Sequence, residues 1–172
     1  MKNKVALFYA PKGGKVDCIS RIISDKAKKY QSDRMCVTEV SADKILEYDK
    51  IIFGNSSIYN GSNLADVDKN WKSFLNELQK IDLTGKKVAI FGLGNHLTYP
   101  AHFVDSIGYL ANFLEERNAK IYGKVVDEGY DYRDSKALRD GFFMGLPLDE
   151  ETESEKSEGR IDCWLEQLRT EF

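Results

Sequence analysis

The sequence predicts an α/β fold: a doubly wound, five-stranded parallel sheet with helices on both faces and a last strand split by an inserted loop. Three observations predict it. Short apolar runs recur along the chain, continuous rather than alternating, as strands covered on both faces require. Stretches with apolar residues at helical spacing separate them, so strand and helix alternate. Several of the loops between a strand and the next helix are glycine-rich, polar or aromatic. In an open α/β sheet such loops leave the carboxyl ends of the strands, where ligands bind.

Val5 to Tyr9 is the first apolar run. It enters Ala10-Pro11-Lys12-Gly13-Gly14-Lys15, and Val16, Ile19, Ile22, Ile23 and Ala27 then mark a helix. Free backbone amides and the positive end of the helix dipole suit an anion at such a loop. Lys12 and Lys15 add charge. The Walker pattern is absent, since Val16 stands where a magnesium-binding hydroxyl belongs, and GxGxxG is absent too. A tight turn with solvated lysines fits these residues equally well.

Cys36 to Val40 reads as the second strand and Asp43 to Tyr48 as a short helix or turn. Lys50 to Gly54 is the third strand. It empties into Asn55 to Asn63, small polar residues around Tyr59, which is either a surface aromatic or a ring that stacks on a flat ligand. Val67 to Leu78 returns to a helix, with Trp71, Phe74, Leu75 and Leu78 inward. Val88 to Phe91 is the fourth strand. Gly92 and Gly94 then let the backbone turn tightly or approach a ligand. Asn95, His96, Leu97, Thr98 and Tyr99 are too polar and too aromatic for a plain connection. Pro100 suits the first turn of a helix that places Phe103, Ile107, Leu110, Ala111 and Leu114 on one face.

Ala119 to Val126 reads as the fifth strand. The polar stretch from Asp127 to Gly141 interrupts it, and Phe142 to Leu148 is apolar again, as an insertion splitting the last strand would be. Asp149 to Gly159 is acidic and expected to be exposed. Ile161 to Leu168 closes the chain as an amphipathic helix. There are no repeats and no linker, so residues 1–172 read as a single domain.

The bulk numbers agree. With 172 residues, 42% hydrophobic and 31% charged, the chain can bury a full core. A net charge of −3 argues against nucleic acid as a partner. No apolar run could span a bilayer, and the start lacks a signal-peptide cleavage site, so a cytoplasmic location is expected. Cys18, Cys36 and Cys163 are odd in number and widely spaced, which suits neither a disulfide framework nor a zinc site. They are expected as small packed residues. His96 and His102 are assigned no catalytic role and are expected at the surface or a helix edge. No metal constellation is visible. One phosphate-friendly loop, Pro11 to Lys15, and two loops with aromatics, Ser56 to Asn63 and Gly92 to Tyr99, suggest a flat phosphorylated ligand. A mononucleotide fits that description better than a metal or a sugar.

Taken together, these residues resemble a flavodoxin of the long-chain type over nearly the whole chain. The strongest part runs from Phe91-Gly92-Leu93-Gly94-Asn95 through Tyr99-Pro100 to Phe103-Val104-Asp105. It resembles the family's strand-end loop, where an acidic residue between glycines precedes a flavin-stacking tyrosine and a helical phenylalanine. The stretch from Asp127-Glu128-Gly129-Tyr130 to Gly145-Leu146-Pro147-Leu148-Asp149-Glu150 looks like the family's inserted loop and resumed fifth strand. Arg160-Ile161-Asp162-Cys163-Trp164 is similar to its closing helix.

The resemblance implies a flavodoxin-like fold and a low-potential electron-transfer protein rather than an enzyme. It would carry one electron at a time on non-covalently bound FMN. The cofactor would meet Pro11, Lys12, Gly13, Gly14, Lys15 and Val16 at its phosphate. Ser56, Ser57, Ile58, Tyr59, Asn60 and Gly61 would lie at the inner face and reactive edge of the ring. Gly92, Leu93, Gly94, Asn95, Tyr99 and Phe103 would form the pyrimidine edge and the outer face, with Tyr99 stacked. Asp66, Asp68, Asp127, Glu128, Asp131 and Asp149 could supply the acidic field that lowers the potential. The partners implied are redox proteins of the flavodoxin/ferredoxin-NADP reductase type or the 2-oxoacid oxidoreductase type, with no nucleic acid and no membrane, met by a monomer.

The chain departs from the family's pattern in three places. The phosphate loop holds Ala10, Lys12 and Lys15 where hydroxyls are usual. Asn95 stands where an aspartate is usual, and the middle loop lacks its tryptophan. Two other readings share the fold: an FMN-dependent NAD(P)H:quinone reductase, and a flavodoxin-like binding module that has lost its flavin.

Overall fold

Alternate residues of each central strand point to opposite faces of the sheet, and each face meets its own helices. β1 (Val5–Tyr9), β3 (Lys50–Asn55) and β4 (Lys87–Leu93) are buried almost throughout. Ala6, Phe8, Ile51, Phe53, Val88 and Ile90 face one core, shared with α2 (Lys69–Leu78) and α3 (Asp105–Glu115). Val5, Leu7, Tyr9, Ile52, Ala89 and Phe91 face the other, shared with α1 (Lys15–Lys26) and α4 (Ser154–Glu171). The computed structural model describes residues 4–27, 31–56 and 68–172.

The sheet is parallel. With β2 (Ser32–Cys36) and β5 (Lys120–Tyr122), its strand order is β2-β1-β3-β4-β5. Two segments share the last position. β5 pairs with Lys87–Ala89 of β4, and β9 (Leu146–Leu148) pairs with Phe91–Leu93 further along the same strand. The chain between them leaves the sheet at Gly123, whose φ is +68°. There it builds a small antiparallel sheet from β6 (Val125–Val126), β7 (Leu138–Arg139) and β8 (Phe142–Phe143), in the order β6-β8-β7.

Several boundaries differ from those expected. The second strand is Ser32–Cys36, not Cys36 to Val40. It is an edge strand, so its side chains are only half covered and can be polar. Asp33 accepts from the Tyr48 hydroxyl (2.7 Å), and Arg34 pairs with Asp17. The fifth strand stops at Tyr122 rather than Val126, because Gly123 turns the chain into the insertion. α3 begins at Asp105, not at Pro100. Val104, with φ +48°, is left-handed and stops the helix from extending backwards. The Pro100 carbonyl instead accepts from the amides of Arg133 (2.7 Å) and Asp134 (2.9 Å) in the insertion.

α4 begins at Ser154, seven residues before Ile161. Its acidic first turns are held by Lys156 and Arg160 on Glu153, and by Lys26 of α1 on Glu158 and Asp162. Asp149, expected to be exposed, is fully buried. Cys36 is buried as expected, whereas Cys18 and Cys163 lie exposed on helices.

Candidate functional site

A cavity of about 770 Å³ opens at the carboxyl ends of the strands. That size suits a small-molecule ligand. Its walls come from the loop after β1 (Pro11, Lys15, Val16), from Ser56 after β3, and from Leu93, Gly94, Asn95 and Tyr99 after β4. The amino end of α3 with the residues before it (His102, Val104, Asp105, Ser106, Tyr109), Lys136 of the insertion, and Glu150 and Glu151 after β9 complete it.

The first loop presents the amino end of α1. Its N-cap, Gly14, has no side chain to take the first-turn amides, and the Cys18 amide donates to the Gly14 carbonyl at 3.1 Å. The amides of the first turn therefore have no intrahelical acceptor, which suits an anion. Gly13, with φ +80°, makes the turn into the helix, and its amide donates to Asp17 Oδ2 (2.8 Å). That bond, foremost, together with Arg34 at 2.6 Å, outweighs burial and holds the Asp17 carboxyl below the usual aspartate range. Lys15 lines the cavity and reaches Glu151 (2.5 Å) and the Glu150 carbonyl (3.3 Å). Lys12 is turned away onto Glu39 and does not line the cavity.

The third loop leaves β4. Gly92 and Gly94 serve packing rather than a turn. A Cβ on Gly92 would lie 2.5 Å from the Ile107 side chain, and one on Gly94 2.8 Å from the Phe103 ring. Phe103 is 1% exposed and stacks on Tyr132 (ring centroids 5.4 Å apart), so it supports the loop from behind. Neither Gly92 nor Phe103 lines the cavity, and nor do Gly13 and Gly14. The Asn95 side chain accepts from the Thr98 amide (2.8 Å), and its carbonyl accepts from the Tyr99 amide (2.9 Å). This closes a tight turn that leaves Tyr99 62% exposed at the cavity.

His96 corrects the sequence reading. It is buried rather than at the surface, 2.6 Å from Asp149 Oδ2 through Nδ1, while its amide donates to the same oxygen at 3.0 Å. The amides of Glu151 and Thr152 donate to Asp149 Oδ1, and the Thr152 hydroxyl donates to Oδ2. Burial opposes the Asp149 charge, but these donors outweigh it and hold the carboxyl below its usual range. His102 is exposed and 3.0 Å from Asp105.

Of the other candidate acids, Asp68 caps α2 through the Asn70 amide (2.8 Å) and Asp127 accepts from Tyr132 (2.8 Å). Ser57, Ile58, Tyr59, Asn60, Gly61 and Asp66 lie outside the described residues. Ser106 Oγ, at the rim, reaches Asn55 Oδ1 (2.6 Å) and the Ser56 carbonyl (2.9 Å). Sequence reasoning missed Ser106, Tyr109 and Lys136. Nothing in their local pattern marks them, because the approach of α3 and the insertion to the strand ends is what places them there.

The geometry can therefore hold an anion at one end and a flat ring against Tyr99 at the other. Comparisons with known proteins point the same way. The sequence model of the flavodoxin family matches residues 7–164. The flavodoxin of Nostoc is 35% identical, covering 100% of this chain and 99% of its own. Flavodoxin 1 of Azotobacter vinelandii is 31% identical over 99% and 98% of the two chains. Among solved structures, Fusobacterium nucleatum flavodoxin bound to flavin mononucleotide superposes with a TM-score of 0.86 at 27% identity, covering 98% of each chain.

Proposed function

This chain belongs to the flavodoxin family and its work is electron transfer; from that premise we propose that it carries one electron at a time on non-covalent FMN in the cavity beside Tyr99. One observation carries the placement: the open amino end of α1 and the exposed Tyr99 ring border the same cavity. The first suits a phosphate and the second a planar ring.

FMN supplies the reversible redox chemistry, while the chain supplies position and field. The first-turn amides of Lys15 and Val16, which line the cavity, take the phosphate, with the Lys15 ammonium as a nearby cation. Lys12 and Gly13 shape that loop from outside the cavity. Tyr99 stacks on the outer face, and the backbone of Gly94 and Asn95 meets one edge of the ring. Ser56, after β3, borders the same cavity. Gly92 and Phe103 hold the loop in place from behind. The buried Asp149 carboxylate beneath the loop makes added negative charge costly and so lowers the potential.

Flavodoxins hand electrons to redox partner proteins. For this chain we assign a reductase of the flavodoxin/ferredoxin-NADP type or a 2-oxoacid oxidoreductase, met by a single-domain monomer in the cytoplasm. Among the described residues no helix is long and apolar enough to cross a membrane.

The test is titration of the apoprotein with FMN, followed by stepwise reduction read by absorbance. Saturable uptake and two resolved one-electron steps are expected. A protein that stays colourless overturns the proposal. Tyr99→Ala should weaken FMN binding about tenfold, since aromatic stacking is worth about 1.4 kcal/mol.

A further inference from the structure

We propose that Arg34, an edge-strand residue outside the cavity, sets how tightly the phosphate end holds its ligand, by cancelling the Asp17 carboxylate in the first turn of α1. The inference rests on the FMN reading. Residues 10–16 contain no hydroxyl side chain, so an anion there depends on backbone amides and on the local field. Lys15 and Val16 open α1, and both line the cavity. Asp17 follows them directly, in the same first turn.

One turn of α-helix advances about 5.4 Å. A phosphate on the Lys15 and Val16 amides therefore sits within a Debye length, about 10 Å, of the Asp17 charge. The Asp17 side chain is 9% exposed, so water screens it little. Its place is fixed, because Oδ2 accepts from the Gly13 amide at 2.8 Å. An unpaired carboxylate there would compete with the phosphate for the positive end of the helix and repel it.

Arg34 removes that conflict. Its Nη1 donates to Asp17 Oδ1 at 2.6 Å and to Ser20 Oγ at 2.9 Å, and its guanidinium lies 4.5 Å from the centre of the Tyr9 ring. Three contacts thus hold the cation on the carboxylate, while neither Asp17 nor Arg34 lines the cavity. Arg34 is a positioning residue: it acts through Asp17, which in turn holds the Gly13 amide.

The neighbouring cations do not replace it. Arg21 lies 3.7 Å from the same Asp17 oxygen, but its side chain is 66% exposed, so solvent screens its charge. Lys12 is paired with Glu39 and Lys15 with Glu151, so each of these brings a carboxylate of its own. The pair of Arg34 and Asp17 is the least exposed of the three, and its balance reaches the helix end with the least loss to water.

The test compares the affinities of FMN and of riboflavin, which lacks the phosphate, read from the quenching of flavin fluorescence by the apoprotein. Arg34→Gln keeps a donor beside Asp17 but removes the charge. It should weaken FMN about tenfold and leave riboflavin within about twofold, as a loss of charge balance at the phosphate end alone requires. Arg34→Lys should restore most of the FMN affinity. Asp17→Asn added to Arg34→Gln keeps an acceptor for the Gly13 amide and removes the repulsion, so FMN affinity should return to within about threefold of wild type.

A loss shared equally by riboflavin, an FMN affinity unchanged in Arg34→Gln, or no recovery in the double variant overturns the proposal. Should Arg34→Gln fail to fold, Asp17→Asn alone decides. It leaves the Arg34 charge unopposed, so FMN should gain affinity relative to riboflavin, and a ratio that stays level or falls overturns the proposal. Wild type that takes up neither flavin overturns the FMN reading and this one together. Wild type that binds FMN, with the ratio unmoved in the variants, overturns this one only.

Discussion

Asp17 does two jobs from one buried position. It takes the Gly13 amide at the phosphate-type loop and the guanidinium of Arg34, which also lies over the Tyr9 ring at 4.5 Å. Because its folded carboxyl sits below the ordinary value, the ionised form contributes stability above the unfolded value of about 3.9. That contribution is lost as pH falls through the folded value. Asp17→Asn should cost about 1–3 kcal/mol near neutrality, the range for a hydrogen bond to a charged group. Urea unfolding at stepped pH should show the variant losing less stability than wild type through the acid range. A parallel loss would show that Asp17 does not contribute to the acid limb.

Residues at this scale were only partly legible. Tyr99 was recognisable as an exposed ring on a strand-end loop. Lys12 was not separable from Lys15, because only the folded chain brings Glu39 to one and Glu151 to the other. His96 read as a surface histidine, since its partner lies 53 positions away.

At the scale of elements, α3 and the insertion depend on each other. Gly108 lies in α3, and a Cβ there would come within 2.1 Å of the Lys136 carbonyl oxygen. Ser135 and Lys136 are tied to the same region through the Phe103 carbonyl (2.5 Å) and the Asp105 carboxylate (2.8 Å). Helix propensity alone would make Gly108→Ala stabilising by about 1 kcal/mol. The clash is with backbone, which cannot rotate away, so overpacking should win by about 1–3 kcal/mol. A lowered urea midpoint is expected, and a raised one would mean that the insertion yields easily. Removing the Trp164 indole N–H, which donates to the Gly123 carbonyl at 2.8 Å, by Trp164→Phe should cost about 1 kcal/mol or more by the same assay.

The central strands and helices α1 to α4 were readable from periodicity. The edge strand β2 was not, because a half-covered strand carries no apolar signature. The start of α3 was misplaced because the left-handed backbone of Val104 and the insertion's hold on Pro100 are long-range matters.

Over the whole molecule, charge is expected to steer encounter with a partner. The chain carries a net −3. The cavity rim mixes Lys15 and Lys136 with Asp105, Glu150 and Glu151. A partner with a basic face would be steered by the net field, so electron exchange should slow as salt shortens the Debye length below about 10 Å. Stopped-flow rates at stepped ionic strength check this, and a flat profile would remove electrostatic steering from the account.

The order of apolar runs and helical stretches was enough, without coordinates, to determine a parallel sheet covered on both faces and the loops that meet at its rim. Period and burial are local properties of a chain, and they survive in the sequence. Tertiary structure alone decided where the split in the last strand falls, at Gly123, so that its two parts pair with successive stretches of β4. It also decided that Gly92 and Gly94 make room for Ile107 and Phe103, and that a histidine beside the cavity answers to a buried aspartate. Each of those depends on residues far apart along the chain being pressed together, and no local pattern records which ones will meet.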